Sequence, residues 1–331
     1  MTEVRCVLDA KAALGECPVW SVTERVLYWA DITGRAIHRF DPASGQDQAW
    51  HFPDDIGSFA LRDGGGLLVA LGTELYLVDL ETMAIERVGA AATSRGETRF
   101  NDGRCDRGGR FWVGTMDLEK RRPIGALYRL DADRRLDEMV GGVIVSNGLA
   151  WSPDDRVMYH ADSRQDVIWA YDYDLSSGSV GNRRVFAEVD PRGGRPDGAA
   201  VDADGFYWST RVGGGRLTRF APDGRVDREV ELPVTYPGMC AFGGPDLDIL
   251  YVTSVREGAL PGGTRARAPR RRHPCGRGRR QGAAGAVLSR LTAWGSTPMV
   301  WRGRRVRRHG GLRGPPSERA LGPSAPRSQA A

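Results

Sequence analysis

One unit recurs six times in the first 256 residues of this 331-residue chain. Each copy has a polar residue or glycine, a short run of small and apolar residues, a turn of Asp, Gly or Pro, and a β-rich run. The copies are "GECPVWSVTERVLYWAD" at 15, "IGSFALRDGGGLLVAL" at 56, "FNDGRCDRGGRFWVGTM" at 100, "SNGLAWSPDDRVMYHAD" at 146, "PDGAAVDADGFYWSTR" at 196 and "PGMCAFGGPDLDILYVTS" at 237. A repeat of roughly 40 to 50 residues indicates equivalent modules that are packed side by side.

The alternation of apolar residues between turn residues predicts β-strands in every copy. Most copies continue into a third strand, such as "ELYLVDLET" at 74 or "ALYRLDADR" at 126. Six units of three to four strands predict an all-β fold, a six-bladed β-propeller whose first strands line a central channel. A generic sandwich or barrel is the alternative, and six copies in phase disfavour it. We expect six tryptophans to pack between blades: Trp20, Trp29, Trp112, Trp151, Trp169 and Trp208.

The repeat also predicts a ring of side chains around the channel. The residues in phase at the start of each first strand are Glu16, Gly57, Asn101, Asn147, Asp197 and Gly238. Two carboxylates that converge there would repel and shift each other's pKa unless a divalent cation lay between them. Oxygen ligands suit Ca²⁺, Mg²⁺ or Mn²⁺. The alternative is that these residues only cap turns, as Asn and Asp often do before Gly.

The net charge of +5 combines an acidic body with a basic tail. Residues 257–331 contain 17 arginines and two glutamates, which give +15, so the preceding residues carry −10. The β pattern ends near residue 261, and the chain has two lysines against 45 arginines, which suggests a GC-rich gene. We therefore predict two regions: a propeller over 1–256 and an Arg/Gly/Pro-rich tail over 257–331 that is disordered and arises from a frameshift near residue 258. An authentic basic tail, including a nucleic-acid-binding arm, is the alternative.

A frameshift would leave the last blade incomplete. The segment "EVRCVLDA" at 3–10 reads as the strand that closes the propeller, and its partners would be lost. An unpaired sheet edge and low stability are the expected consequences.

The cysteine pattern and the N-terminus bear on location. The five cysteines form no CxxC pair, which favours a reduced protein, and we expect Cys17, Cys105 and Cys240 to be small core residues. The first 20 residues do not read as a signal peptide, and there is no run of 18 apolar residues. We predict a cytoplasmic monomer that binds no membrane and whose body binds no nucleic acid.

Several of these motifs together resemble the SMP-30/gluconolactonase/LRE family, which includes regucalcin and bacterial sugar lactonases. The matching stretches are "LGECPVW" at 14–20, "RFNDGRCDRGGRFWVGTM" at 99–116, "SNGLAWSPDD" at 146–155 and "PDGAAVDADGFYW" at 196–208. The resemblance implies a six-bladed propeller that hydrolyses the lactone of an aldonic acid. It also implies one divalent metal held by Glu16, Asn147 and Asp197, and substrate contacts from Arg99, Asn101 and Glu119.

The chemistry of such a site suggests roles for these residues. Asp197 is the candidate general base, acting directly or while it holds the metal. Arg99 and Asn101 are two residues apart on one strand, so both side chains face the same side. The cation could be Ca²⁺, Zn²⁺, Mn²⁺, Mg²⁺ or Fe²⁺, and the sequence does not name the sugar. The alternative function is a non-catalytic propeller that binds calcium or a protein partner.

Overall fold

The computed structural model describes residues 3–93, 96–256 and 286–288, and β-strands are the main regular structure of these residues. The helical segment among them is one 3₁₀ turn at Pro191–Gly193. The strands in chain order are β1 (Val4–Cys6), β2 (Gly15–Ser21), β3 (Val26–Asp31), β4 (Ala36–Phe40), β5 (Asp47–His51), β6 (Ile56–Leu61), β7 (Leu67–Leu71), β8 (Glu74–Val78), β9 (Ile85–Ala90), β10 (Thr98–Cys105), β11 (Phe111–Asp117), β12 (Gly125–Leu130), β13 (Leu136–Val143), β14 (Ser146–Trp151), β15 (Val157–Asp162), β16 (Val167–Asp174), β17 (Ser179–Glu188), β18 (Arg195–Val201), β19 (Tyr207–Val212), β20 (Arg216–Phe220), β21 (Val226–Glu231), β22 (Pro237–Gly243), β23 (Ile249–Ser254) and β24 (Ala286–Leu288).

Five sheets each consist of four consecutive antiparallel strands. They are β2 to β5, β6 to β9, β10 to β13, β14 to β17, and β18 to β21, and the order in space follows the chain. The first strand of each sheet is mostly buried, whereas fourth strands such as β9 and β21 are largely exposed. Each sheet is thus a propeller blade whose first strand lies innermost. The predicted all-β propeller is confirmed.

The remaining strands form a sheet from both ends of the described chain. β22 pairs with β23, β23 with β24, and β24 with β1, so that Val4 lies opposite Leu288. The described residues therefore contain five blades of consecutive strands, one fewer than the six expected. β1 is paired here, unlike the open edge expected from the sequence. Apart from 286–288, the predicted tail over 257–331 lies outside the described residues.

The first strands surround a common axis. β2 contacts β6, and contacts continue through β10, β14, β18 and β22 and return to β2. Buried apolar side chains of the described residues form clusters between neighbouring sheets, because both faces of each sheet must be covered. All six tryptophans expected between blades lie in these clusters. Cys17, Cys105 and Cys240 are buried, as predicted for small core residues.

Candidate active site

In all six sheets of the described residues, the pairing of the two innermost strands is irregular at an equivalent position of the repeat. The register shifts lie between Glu16 and Val19, Ile56 and Ser58, Phe100 and Gly103, Asn147 and Ala150, Pro196 and Ala199, and Pro237 and Cys240. Each shift contains or adjoins one of the ring positions expected from the repeat. A β-bulge disrupts the ladder locally and redirects a side chain. The bulges therefore release the ring side chains from regular strand pairing.

A chain of hydrogen bonds connects several of the candidate residues. Arg99 donates through Nη1 to Asn101 Oδ1 at 2.9 Å, and Asn101 Nδ2 donates to Asn147 Oδ1 at 3.1 Å. Asn147 Nδ2 donates to Ser163 Oγ at 2.8 Å, and that hydroxyl donates to the carbonyl of Pro196 at 2.6 Å. The network extends across three blades and ends beside Asp197. The fold thus brings together residues that are distant in sequence.

Glu16 and Asp197 form a buried acidic pair. Burial raises the pKa of both carboxyl groups well above the ordinary value, and the charge of Asp197 raises that of Glu16 further. The nearby Arg99 guanidinium lowers the pKa of each but does not cancel the effect of burial. Neither carboxylate has an ion-pair partner within the described ranges. Two buried acids of this kind favour a cation between them.

The two glycines of the ring mark places where neighbouring blades approach closely. A Cβ at Gly238 would lie 2.5 Å from Glu16 Oε1 and 2.7 Å from the carbonyl oxygen of Gly15. At Gly57 it would lie 2.5 Å from the carbonyl oxygen of Phe100. Glycine at 238 therefore leaves the space that the Glu16 carboxylate occupies.

Asp102 is a buried carboxylate that the sequence reasoning missed. Its Oδ2 accepts the N–H of Leu149 at 3.0 Å, while Oδ1 is buried with no hydrogen-bond partner in the described part of the chain. Its charge raises the pKa of both Glu16 and Asp197, which places it next to the pair. Its position directly after Asn101 in "FNDG" was the available signal.

The loop after β11 brings a lysine to the site. Glu119 is exposed and has no hydrogen bond to the other candidate residues in the described ranges, whereas Lys120 is half-buried. Burial lowers the pKa of Lys120, the positive charges of Arg99 and Arg164 lower it further, and Asp197 raises it. The sequence analysis did not select Lys120, because a half-buried side chain in a polar loop has no periodic signal. Glu119 was proposed from the family resemblance.

The donor set fits a metal that prefers oxygen. Glu16 and Asp197 supply carboxylates with no ion-pair partner among the described residues, Asn147 supplies an amide oxygen, and the glycine at 238 makes room for the Glu16 carboxylate. Among the described residues, no group of three His, Cys, Asp or Glu side chains has metal-binding geometry. A cation here would thus depend on the amide oxygen as well as the two acids.

No helix among the described residues is long and apolar enough to cross a bilayer.

Comparison with known proteins shows the family of the chain. Residues 14–256 match the family described as SMP-30/Gluconolactonase/LRE-like region. A 6-deoxy-6-sulfogluconolactonase of Pseudomonas putida is 47% identical over 255 residues, which cover 77% of this chain and 87% of that protein. Regucalcin of Gallus gallus is 36% identical over 262 residues, which cover 77% of this chain and 88% of the relative.

Solved structures show the same fold. A luciferin-regenerating enzyme superposes with a TM-score of 0.78 at 26% identity, covering 88% of this chain and 98% of its own. A calcium-binding regucalcin of Agrobacterium tumefaciens superposes with a TM-score of 0.79 at 24% identity, covering 91% of this chain and 98% of its own. The name of the Pseudomonas putida relative agrees with the expected link to lactone hydrolases. The chain belongs to the SMP-30/gluconolactonase/LRE-like family.

Proposed function

We propose that this protein is a metal-dependent sugar lactonase that hydrolyses an aldonolactone to the aldonic acid. One observation carries the proposal: Glu16 and Asp197 are both buried, and neither forms an ion pair among the described residues. They lie beside the hydrogen-bond network of Arg99, Asn101 and Asn147. The name of the relative that is 47% identical supports a lactone as the substrate. Family membership supports the same class of reaction.

We assign the metal to Glu16, Asn147 and Asp197. All three side chains carry oxygen donors, and the candidate ions are Ca²⁺, Zn²⁺, Mn²⁺, Mg²⁺ and Fe²⁺. When bound, the metal would supply Lewis-acid polarisation of the lactone carbonyl and charge to balance the two carboxylates. The deprotonated forms of Glu16 and Asp197 are the ones that bind it, so loading requires that both acids release their protons.

The protein residues then orient the substrate and accept a proton. Arg99 and Asn101 donate hydrogen bonds to sugar hydroxyls or to the oxyanion that develops on the carbonyl oxygen. Asp197 accepts the proton of the attacking water as general base, a role that suits a carboxyl group whose pKa burial has raised. The contact proposed for Glu119 rests on the family resemblance alone.

We also propose that β22, β23, β24 and β1 form the sixth blade and close the propeller. Pairing of the first and last parts of a chain in one blade removes free sheet edges. The buried thiols Cys17, Cys105 and Cys240 fit a reduced, cytoplasmic setting, and we expect a monomer.

The test is a matrix of metals and lactones. The purified protein is stripped with EDTA, single metals are added back, and acid release is followed with a pH indicator against spontaneous hydrolysis. We expect metal-dependent turnover of at least one of the glucono-, galactono-, xylono- and arabinono-lactones. Asp197→Asn should abolish it, whereas Asp133→Asn, which changes an exposed acid, should not.

The second candidate is a non-catalytic propeller that binds calcium or a protein. The buried acid couple would suit a calcium site equally well. Calcium binding by calorimetry without turnover of any lactone, under every metal, would favour this candidate and refute the lactonase.

A further inference from the structure

The loop that contains Lys120 is held in a fixed shape. Lys120 N–H donates to the carbonyl of Asp117 at 2.9 Å, and its φ of +56° lies in the left-handed region that non-glycine residues seldom adopt. The Asp117 carboxylate accepts the N–H groups of Arg121 at 3.0 Å and Arg122 at 2.9 Å. These bonds determine where the Lys120 side chain starts, so its approach to the site is built into the turn.

Backbone hydrogen bonds link the Lys120 loop to a second loop. Asp117 N–H donates to the carbonyl of Ile144 at 2.9 Å, and the N–H of Ile144 donates to Asp162 at 2.7 Å. Asp162 also accepts the N–H of Arg164 at 2.9 Å. One residue, Ile144, thus links the Lys120 loop to the Arg164 loop. Arg164 directly follows Ser163, the hydroxyl that joins the Asn147 network to the backbone beside Asp197.

The cations on these two loops, Lys120 and Arg164, have no carboxylate partner among the described residues. Within the described residues, neither Lys120 nor Arg164 forms an ion pair, whereas nearby Arg122 pairs with Glu97 and Asp117. Arg164 is exposed and Lys120 is half-buried, so both side chains are accessible to solvent. Unbalanced positive charge beside a binding cavity attracts and orients an anionic ligand.

We propose that Lys120 and Arg164 bind an anionic tetrahedral group, a sulfonate or phosphate, on the lactone carbon farthest from the reacting carbonyl. The inference rests on the proposed lactonase function. Lys120 lies close enough to Asp197 and Arg164 for both charges to shift its pKa, so an anion bound by the two cations would lie near the proposed position of the lactone carbonyl. Both groups offer oxygens that accept charge-assisted hydrogen bonds from ammonium and guanidinium. Anionic sugar lactones are therefore the preferred substrates, and neutral lactones are poorer ones.

The experiment compares three lactones on the metal-loaded full chain: neutral glucono-1,5-lactone, its 6-phosphate and the 6-deoxy-6-sulfonate. The variants are Lys120→Met, Arg164→Met and the conservative Lys120→Arg. The control is Arg25→Met, which removes an exposed arginine from the turn at the opposite end of β2 from Glu16. KM and kcat are measured separately at low and high salt.

We expect wild type to prefer at least one anionic lactone by roughly tenfold or more in kcat/KM, and the preference to fall with salt. Each Met variant should raise KM for that anionic lactone at least about tenfold more than KM for the neutral one, and Lys120→Arg should restore most of the loss. The phosphate and sulfonate arms show which anion is recognised.

Two results would overturn the inference. Equal use of neutral and anionic lactones by wild type is one, and equal changes toward both classes in the Met variants is the other. Absence of turnover of every lactone would instead refute the proposed function itself, which separates the two failures.

Discussion

Gly238→Ala should displace the Glu16 carboxylate and cost both stability and activity. The new Cβ would lie 2.5 Å from Glu16 Oε1, and ordinary contact begins at 3.4 Å, so the carboxylate must move by roughly 1 Å. The backbone oxygen of Gly15, 2.7 Å away, limits relaxation on the other side. Overpacking of this kind costs about 1–3 kcal/mol, and a shift of about 1 Å in a catalytic group costs about 100-fold in rate.

The measurement pairs thermal unfolding with lactonase kinetics and calorimetric metal binding. Gly181→Ala is the matched control, because its Cβ would meet nothing within 4 Å. We expect Gly238→Ala to lower Tm by several degrees, weaken metal binding and reduce kcat/KM by about two orders of magnitude. The control should behave as wild type. Unchanged Tm and metal affinity in Gly238→Ala would refute the idea that the missing Cβ makes room for Glu16.

Three further perturbations address groups around and outside the site. His160 is buried and shares a hydrogen bond of 2.8 Å with Ser146 Oγ, and burial lowers its pKa to about 4. The neutral imidazole therefore contributes roughly 3 kcal/mol to the free energy of unfolding above pH 6.5, and this contribution is lost as pH falls toward 4. His160→Gln should flatten the decline of Tm over that range, and parallel Tm profiles of variant and wild type would contradict this. In metal-free protein, Asp197→Asn should raise Tm at pH 7, because burial raises the pKa of this acid, so the stability that protonation confers is present at low pH and lost as pH rises; a lower Tm would count against a strained acid pair. Asp202→Ala should lower the free energy of unfolding by about 3–5 kcal/mol, because it leaves Arg219 and the Trp208 indole without their buried acceptor. Denaturant unfolding measures this, and Asp204→Ala is the control: the Asp204 side chain is 60% exposed, so its removal should change stability little.

Two blades contain the same buried hydrogen bond, from a tryptophan indole to an aspartate. Asp106 accepts from the Trp112 indole at 2.9 Å, and Asp202 accepts from the Trp208 indole at the same distance. Both carboxylates follow the first strand of their blade, and both tryptophans are six residues later. The regular spacing is visible in the sequence, but only the packed blades show that each aspartate is buried with an arginine as well.

The sequence by itself determined the repeat, the strands and the position within each repeat that supplies a ring residue. Alternating residues, turn signals and a common phase depend on local chemistry, which each copy carries in its own residues. This is why Glu16, Asn101, Asn147 and Asp197 could be selected before any coordinates. The five blades of consecutive strands follow from the same local pattern.

Only the tertiary structure decided how distant residues meet. The pairing of β1 with β24 joins segments more than 270 residues apart, and no local pattern specifies such a partner. The same holds for Lys120, whose approach to Asp197 depends on a left-handed turn and on a neighbouring blade. The close approach of Glu16 to Gly238 and the buried Asp102 oxygen are also products of packing between blades. Burial and charge proximity arise from the assembled ring, so they had no signature in the order of residues.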